Sequence, residues 1–214
     1  MQGKFIVFEG VEGAGKTTQM QRIQVWLQGL MDTPVIITRE PGGTLLGQEL
    51  RHLLLEYHGE EPIQDRAELF MYAADRAQHV EGFLKPLLDQ GNMILCDRYT
   101  DSTIAYQGYG RGLDLSLINQ LNQIATNSLE SDLTLWLDVD VELGLARTRT
   151  RGKIDRIEQA NLEFHQRVQQ GFKLLAQANP DRIIPINGML NIDQVTENIK
   201  LILSQKLRKW GCLI

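Results

Sequence analysis

Gly10-Val11-Glu12-Gly13-Ala14-Gly15-Lys16-Thr17 constrains this chain more than any other feature, because it matches the G-x-x-x-x-G-K-[ST] phosphate loop and directly follows the apolar run Phe5 to Glu9. Such a loop works where a buried strand hands over to a helix. Its glycines let successive N–H groups turn towards one anion, and the helix that follows aims the positive end of its dipole at the same place. Gly10 to Thr17, with Thr18 in the first helical turn, are therefore the expected cradle for the phosphates of ATP. Lys16 should reach the β- and γ-phosphates, and the Thr17 hydroxyl should meet Mg2+, which usually keeps several waters and bridges phosphate oxygens.

Further short apolar runs follow that first strand: Val35 to Thr38, Met93 to Asp97, Leu133 to Val139 and Arg182 to Asn187. Helical patterns lie between them at 16–30, 46–57, 65–80, 81–90, 115–127, 141–150, 158–178 and 192–208, with Gly91 and Pro180 as stop signals. The alternation predicts an α/β fold whose five-stranded, mostly parallel sheet is covered by helices on both faces, with ligands at the carboxyl ends of the strands. At 214 residues and 43% hydrophobic content, without repeats or a linker, one domain over 1–214 is expected.

A net charge of −5 argues against a broad nucleic-acid surface, whereas a small anionic ligand needs only a local positive pocket. No apolar run approaches the roughly 18 residues of a membrane helix, and Met1-Gln2-Gly3-Lys4 leads into the first strand without a cleavable signal, so a cytoplasmic protein is expected. Cys96 and Cys212 match no zinc or redox spacing, and His52, His58, His79 and His165 show no metal-type pairing, so all six read as packing or surface residues.

Phosphate loops serve kinases, GTPase switches and motor ATPases alike, so the rest of the chain must decide. Ile94-Leu95-Cys96 runs into Asp97-Arg98-Tyr99, which puts a carboxylate and a guanidinium at the end of a strand. Asp97 there can support Mg2+ and Arg98 can grip a phosphate, although an ion pair without catalytic role would give the same sequence. No guanine-specific Asn-Lys-x-Asp occurs, and no apolar strand ends in Asp-Glu. Phosphoryl transfer to a small acceptor is favoured; a nucleotide-operated switch that binds without transfer is the competing class.

The stretch from Leu95 to Tyr106, with Asp97-Arg98-Tyr99 and Ser102-Thr103 inside it, resembles the thymidylate kinase signature. Thr38-Arg39-Glu40-Pro41-Gly42-Gly43-Thr44 resembles a loop of that family's bacterial members, and Asp155-Arg156-Ile157-Glu158 the end of its mobile lid. These motifs run in the family's order from residue 5 to about 160, so the resemblance covers nearly all of the chain. It implies a three-layer phosphate-loop fold with a lid at about 147–158. It also implies transfer of the ATP γ-phosphate to dTMP, giving dTDP and ADP on the way to dTTP, with Mg2+ as cofactor and a homodimer as assembly.

Carried over by position, the resemblance makes Phe70 the ring that stacks on thymine and Arg76 the arginine that reaches the base and helps seat the monophosphate. Phe70, Ala73, Ala74 and Ala77 also fall at i, i+3, i+4 and i+7, so Phe70 fits a core stripe equally well. Arg39 and Arg98 resemble the residues that hold the acceptor phosphate, Thr103, Tyr106 and Gln107 the segment lining base and sugar, and Glu12 the acid near the sugar hydroxyl. Some members carry an arginine after that acid. Here Gly13 stands there, and in such members the lid supplies the charge; Arg149 and Arg151, then Arg156, are its expected donors, with Arg147 and Lys153 solvated. Cations at a helix C-terminus, favourable by about 0.3–1 kcal/mol, would explain part of that cluster without a ligand. The expected catalytic groups are thus Lys16, Arg98, Arg149, Arg151 and Arg156. The acceptor phosphate is largely dianionic near neutral pH, so the site needs positioning and charge neutralisation and no general base.

Overall fold

Phe5, Ile6, Val7 and Phe8 are all buried in β1 (Lys4–Glu9), so both faces of the strand are covered and it lies inside a sheet. The structure, a computed structural model, describes residues 3–150, 152 and 155–212. In it β1 sits at the centre of a wholly parallel sheet, in the order β2 (Val35–Arg39), β3 (Met93–Asp97), β1, β4 (Leu133–Asp138), β5 (Ile183–Asn187).

Alternate residues of β1 feed two cores. Ile6 and Phe8 pack with Met20, Ile23 and Leu27 of α1 (Lys16–Gln28) and with Ile199, Leu203 and Leu207 of α9 (Ile192–Lys209). Phe5 and Val7 face Val80, Leu84 and Leu88, which come from a wide π-helical turn (Val80–Leu84) and α4 (Lys85–Asp89). Each such side chain contributes about 1.5–3 kcal/mol by leaving water. A third cluster holds Tyr106, Trp136, Phe164, Val168 and Phe172, and fastens α8 (Leu162–Ala178) beside β4.

The register delivers the site. Phe8 pairs with Asp97 and Asp97 with Arg39, so β1, β3 and β2 end level with one another and release their next residues along one edge.

Most elements fall within two residues of the sequence expectation, because their ends are chemically marked. Thr44 caps α2 (Leu45–Glu56), Asp114 caps α6 (Leu115–Thr126), Asp140 caps α7 (Val141–Arg149), and Asn191 with Gln194 forms a capping box on α9. Alpha-helix α3 (Asp65–His79) also lies where its pattern places it, whereas the expected helix 81–90 divides into the π turn and α4. Helix α8 does not begin at 158. The Asp155 carboxylate accepts from the N–H groups of Ile157 and Glu158, each at 2.9 Å, which makes a turn there, and Asn161 starts the helix.

One helical segment was not expected at all: α5 (Thr100–Thr103), which widens into a π-helical turn from Ile104 to Gly110. Its β-branched residues and glycines argue against a helix. A residue remote in sequence supplies the missing cap, since Glu9 accepts the backbone N–H groups of Tyr99 at 2.9 Å and Ser102 at 3.1 Å.

Candidate active site

A cavity of about 560 Å³ opens along the edge where β1, β2 and β3 end. One wall is Glu12 to Thr18; the others come from Arg39 to Pro41, Arg51, Tyr72, Arg76, Asp97 to Tyr99, Ser102, Thr103, Tyr106 and Gln107, with Asp155, Ile157 and Glu158 also lining it.

Gly15 holds φ 91°, a left-handed conformation that precedes the first turn of α1 and turns the loop back over the helix. Lys16 is nearly buried, and its ammonium donates to the carbonyls of Gly10 at 3.0 Å and Val11 at 3.3 Å. Gly10 and Val11 therefore serve the loop through those carbonyls and do not line the cavity; Val11 packs into the Tyr106 and Trp136 cluster. Burial, aided by Arg98, draws the Lys16 ammonium below its ordinary value. Asp97 Oδ1 is buried and accepts no hydrogen bond among the described residues, while Thr17, an exposed residue, lines the same cavity. An orphaned carboxylate oxygen and a threonine hydroxyl lining one cavity are oxygen donors of the kind a hard divalent cation such as Mg2+ takes.

Arg98 is the hub of the opposite wall. Its backbone holds φ 71°, rare for a residue with a Cβ, and its N–H reaches back to the Phe8 carbonyl at 3.0 Å. That bend throws the guanidinium over the Tyr106 ring at 4.8 Å, where it donates to Glu12 Oε1 at 3.0 Å and Ser102 Oγ at 3.1 Å. Tyr106 donates its hydroxyl to the same Glu12 oxygen at 2.7 Å. Burial alone would raise the Glu12 carboxyl, but Arg98 first, and then contacts with His165, Lys16 and Tyr106, outweigh it and hold the group at about 2. Behind them Glu9 is fully buried, and burial pushes it up to about 7 against the pull of Arg98.

Arg76 is locked from all sides. It donates to Glu40 Oε2 at 2.8 Å, Thr103 Oγ1 at 2.9 Å, Asn122 Oδ1 at 2.8 Å and the Tyr99 carbonyl at 3.0 Å. A guanidinium has five N–H groups, so four acceptors among the described residues leave one for the cavity. Thr103 is thereby a brace for Arg76, while Gln107 lines the cavity and donates to Glu68 at 2.8 Å. Arg39 lines the cavity as well.

Several sequence expectations do not survive the geometry. Phe70 is 49% exposed and does not line the cavity, so it is neither the stacking ring of this pocket nor part of a core stripe. The cavity ring from α3 is Tyr72, one helical turn before Arg76, and that i, i+4 spacing was readable in the sequence. Arg156 points away: it donates to the Leu54 carbonyl at 2.9 Å and to buried Glu68, which also takes Arg111 at 3.3 Å. Arg149 is exposed and lies outside the cavity lining, whereas Arg147, expected to be solvated, reaches the Gly13 carbonyl at 3.3 Å. Arg151 and Lys153 fall outside the described residues. Arg51 was missed; it lines the cavity from α2 and donates to the Pro41 carbonyl at 2.9 Å, a contact that no motif announces.

Gly13 explains itself. A Cβ there would stand 2.1 Å from the Gly144 carbonyl oxygen, and a Cβ on Gly144 would stand 2.4 Å from the Glu12 carbonyl oxygen, so α7 and the phosphate loop meet backbone to backbone.

Among known proteins, the thymidylate kinase family model matches residues 8–199. A thymidylate kinase of Trichormus variabilis is 60% identical over 211 residues, covering 98% of this chain and 100% of its own. One of Trichodesmium erythraeum is 56% identical over 223 residues, covering 98% of this chain and 99% of its own. The crystal structure of thymidylate kinase from Ehrlichia chaffeensis matches with a TM-score of 0.78 and 36% identity, over 95% of this chain and 99% of that one.

Proposed function

This chain belongs to the thymidylate kinase family and is a kinase that phosphorylates dTMP with ATP, and we propose that donor and acceptor meet in the cavity at the ends of β1, β2 and β3. The observation that carries this reading is one cavity with two unlike halves. A phosphate loop forms one wall, and the guanidiniums of Arg39, Arg51, Arg76 and Arg98 with the rings of Tyr72 and Tyr106 form the other.

On the donor side, the loop N–H groups and Lys16 hold the ATP phosphates, and Thr17 with Asp97 would hold Mg2+. When bound there, the ion would supply neutralisation of the charge that develops during transfer. On the acceptor side, Arg98 and Arg39 grip the dTMP phosphate and set it in line, Arg51 adds positive charge beside them, and Tyr72 supplies a face for the base. Arg76 offers its remaining N–H to the base, and Glu12 with Tyr106 borders the sugar. The buried Arg76 network keeps these groups rigid, which is what transfer by positioning demands.

The segment 147–158 acts as a lid within a single domain over 1–214, and Arg149 and Arg151 bring charge to the donor when it closes. A homodimer is the assembly. Leu46, Leu53, Phe70 and Ile124 are exposed on α2, α3 and α6, of which α3 touches both others, and a second copy would remove them from water. The enzyme works in the cytoplasm; among the described residues no helix is long and apolar enough to cross a membrane.

The test is ADP release from ATP and Mg2+ with dTMP, dUMP, CMP, GMP or thymidine as acceptor. Release led by dTMP, and absent with thymidine, is the expected pattern. Nucleotide binding without acceptor-dependent ADP release would overturn the reading in favour of a switch.

A further inference from the structure

His165 lies on α8 with no exposed surface, and neither of its ring nitrogens has a hydrogen-bond partner among the described residues. A buried imidazole left in that state is disfavoured, and a leucine would fill the same aromatic surroundings without the penalty. The nearest polar atom explains why an imidazole is there. Nδ1 stands 3.5 Å from Oε2 of Glu12, and that oxygen is itself buried and has no hydrogen bond among the described residues. A donor and an acceptor thus face each other a few tenths of an ångström beyond ordinary reach.

The other Glu12 oxygen is already committed, since Tyr106 and Arg98 both donate to Oε1. Held at one oxygen only, the carboxylate can still swing about that point. A bond at Oε2 would stop it.

We infer that His165 is a positioning residue for Glu12: its Nδ1–H holds Oε2, so that the carboxylate meets the acceptor sugar in one orientation. The His165 ring is fixed for this task by the edge of Phe164, whose centroid is 5.2 Å away at 84°, and Phe164 in turn packs on Tyr106. The inference rests on the reading that Glu12 borders the sugar, and the experiment separates the two.

Steady-state kinetics with dTMP and with 2′,3′-dideoxythymidine monophosphate, which lacks the sugar hydroxyl, provide the test. His165→Leu should raise KM for dTMP by about five- to tenfold with kcat within about twofold, the signature of lost uniform binding. It should leave the dideoxy acceptor nearly unchanged. His165→Asn places an amide nitrogen near the Nδ1 position and should return KM to within about twofold of wild type, whereas His165→Gln places it near Nε2 and should not. Asn and Gln carry the same amide one methylene apart, so the pair decides the matter even if His165→Leu folds poorly. In a Glu12→Gln background, His165→Leu should add less than about twofold. Equal behaviour of Asn and Gln, or full additivity with Glu12→Gln, would reduce His165 to packing. If Glu12→Gln impairs both acceptors alike, the sugar reading fails, and the coupling between positions 12 and 165 still decides the positioning role.

Discussion

Lys16 Nζ stands 4.0 Å from Asp97 Oδ1, so the ammonium that follows β1 and the carboxylate that ends β3 face each other across the mouth of the cavity without a hydrogen bond. Each keeps capacity for a phosphate or its cation. Lys16→Ala should therefore lower kcat by roughly 10³-fold or more, while the melting midpoint stays within a few degrees of wild type. Turnover near wild type in folded Lys16→Ala would remove the phosphate loop from the mechanism.

Tyr72 and Phe70 sit two residues apart on α3 with opposite expectations. Tyr72→Ala should raise KM for every pyrimidine acceptor by about tenfold, the equivalent of about 1–1.5 kcal/mol of ring stacking. Phe70→Ala should leave kcat/KM within about twofold. Kinetics on both variants with dTMP and dUMP check this, and an inert Tyr72→Ala would take the ring out of the pocket.

Acceptor choice should follow the size of each chemical difference. One methyl separates thymine from uracil and gives about 1–3 kcal/mol at most, so dUMP should be used, but poorly. UMP brings a hydroxyl towards the bulk of Tyr106 and should react weakly. Tyr106→Phe keeps that bulk and should keep most of the sugar discrimination while losing the bond to Glu12. Equal kcat/KM for UMP and dTMP in wild type would contradict the assignment.

The lid arginines should separate by role. Arg149→Ala is expected to lower kcat more than it raises KM for dTMP, because its charge is assigned to the donor phosphates. Arg156→Ala should instead lower stability by about 1–3 kcal/mol, because it strips one partner from buried Glu68. Denaturant melts alongside kinetics would expose a reversed pattern.

Glu9 gives the fold a pH dependence. Its carboxyl has an ordinary value of 4.5 and is pushed to about 7, first by burial. A raised acid binds its proton more tightly when folded, so the stability it contributes is complete below about 4.5 and is lost as the pH rises through about 7. Glu9→Gln keeps an oxygen for the Tyr99 and Ser102 N–H groups and removes the titration. The fall in unfolding free energy between pH 5 and pH 8 should shrink by about 2 kcal/mol. An unchanged curve would mean that Glu9 is ionised in the native protein.

What the sequence disclosed was local in origin. The strand before Gly10, the strand end at Asp97, and the helical patterns whose ends Thr44, Asp114, Asp140 and Asn191 turn out to cap are all written in adjacent residues. What stayed hidden depends on partners distant in the chain. The cap of Tyr99 and Ser102 comes from Glu9, Arg156 is taken by Glu68, and the Glu12 carboxylate faces His165, a residue that reads as ordinary packing. Tyr72 is a different kind of miss. Its spacing from Arg76 was visible, but Phe70 is the more obvious aromatic, and only exposure separates them.

The paired glycines at 13 and 144 also limit how this enzyme can change over generations. An arginine at 13 would have to place its Cβ where the Gly144 carbonyl now stands, and a side chain at 144 would strike the Glu12 carbonyl. Neither position can drift first. A side chain at either position therefore requires the start of α7 to move away from the phosphate loop first.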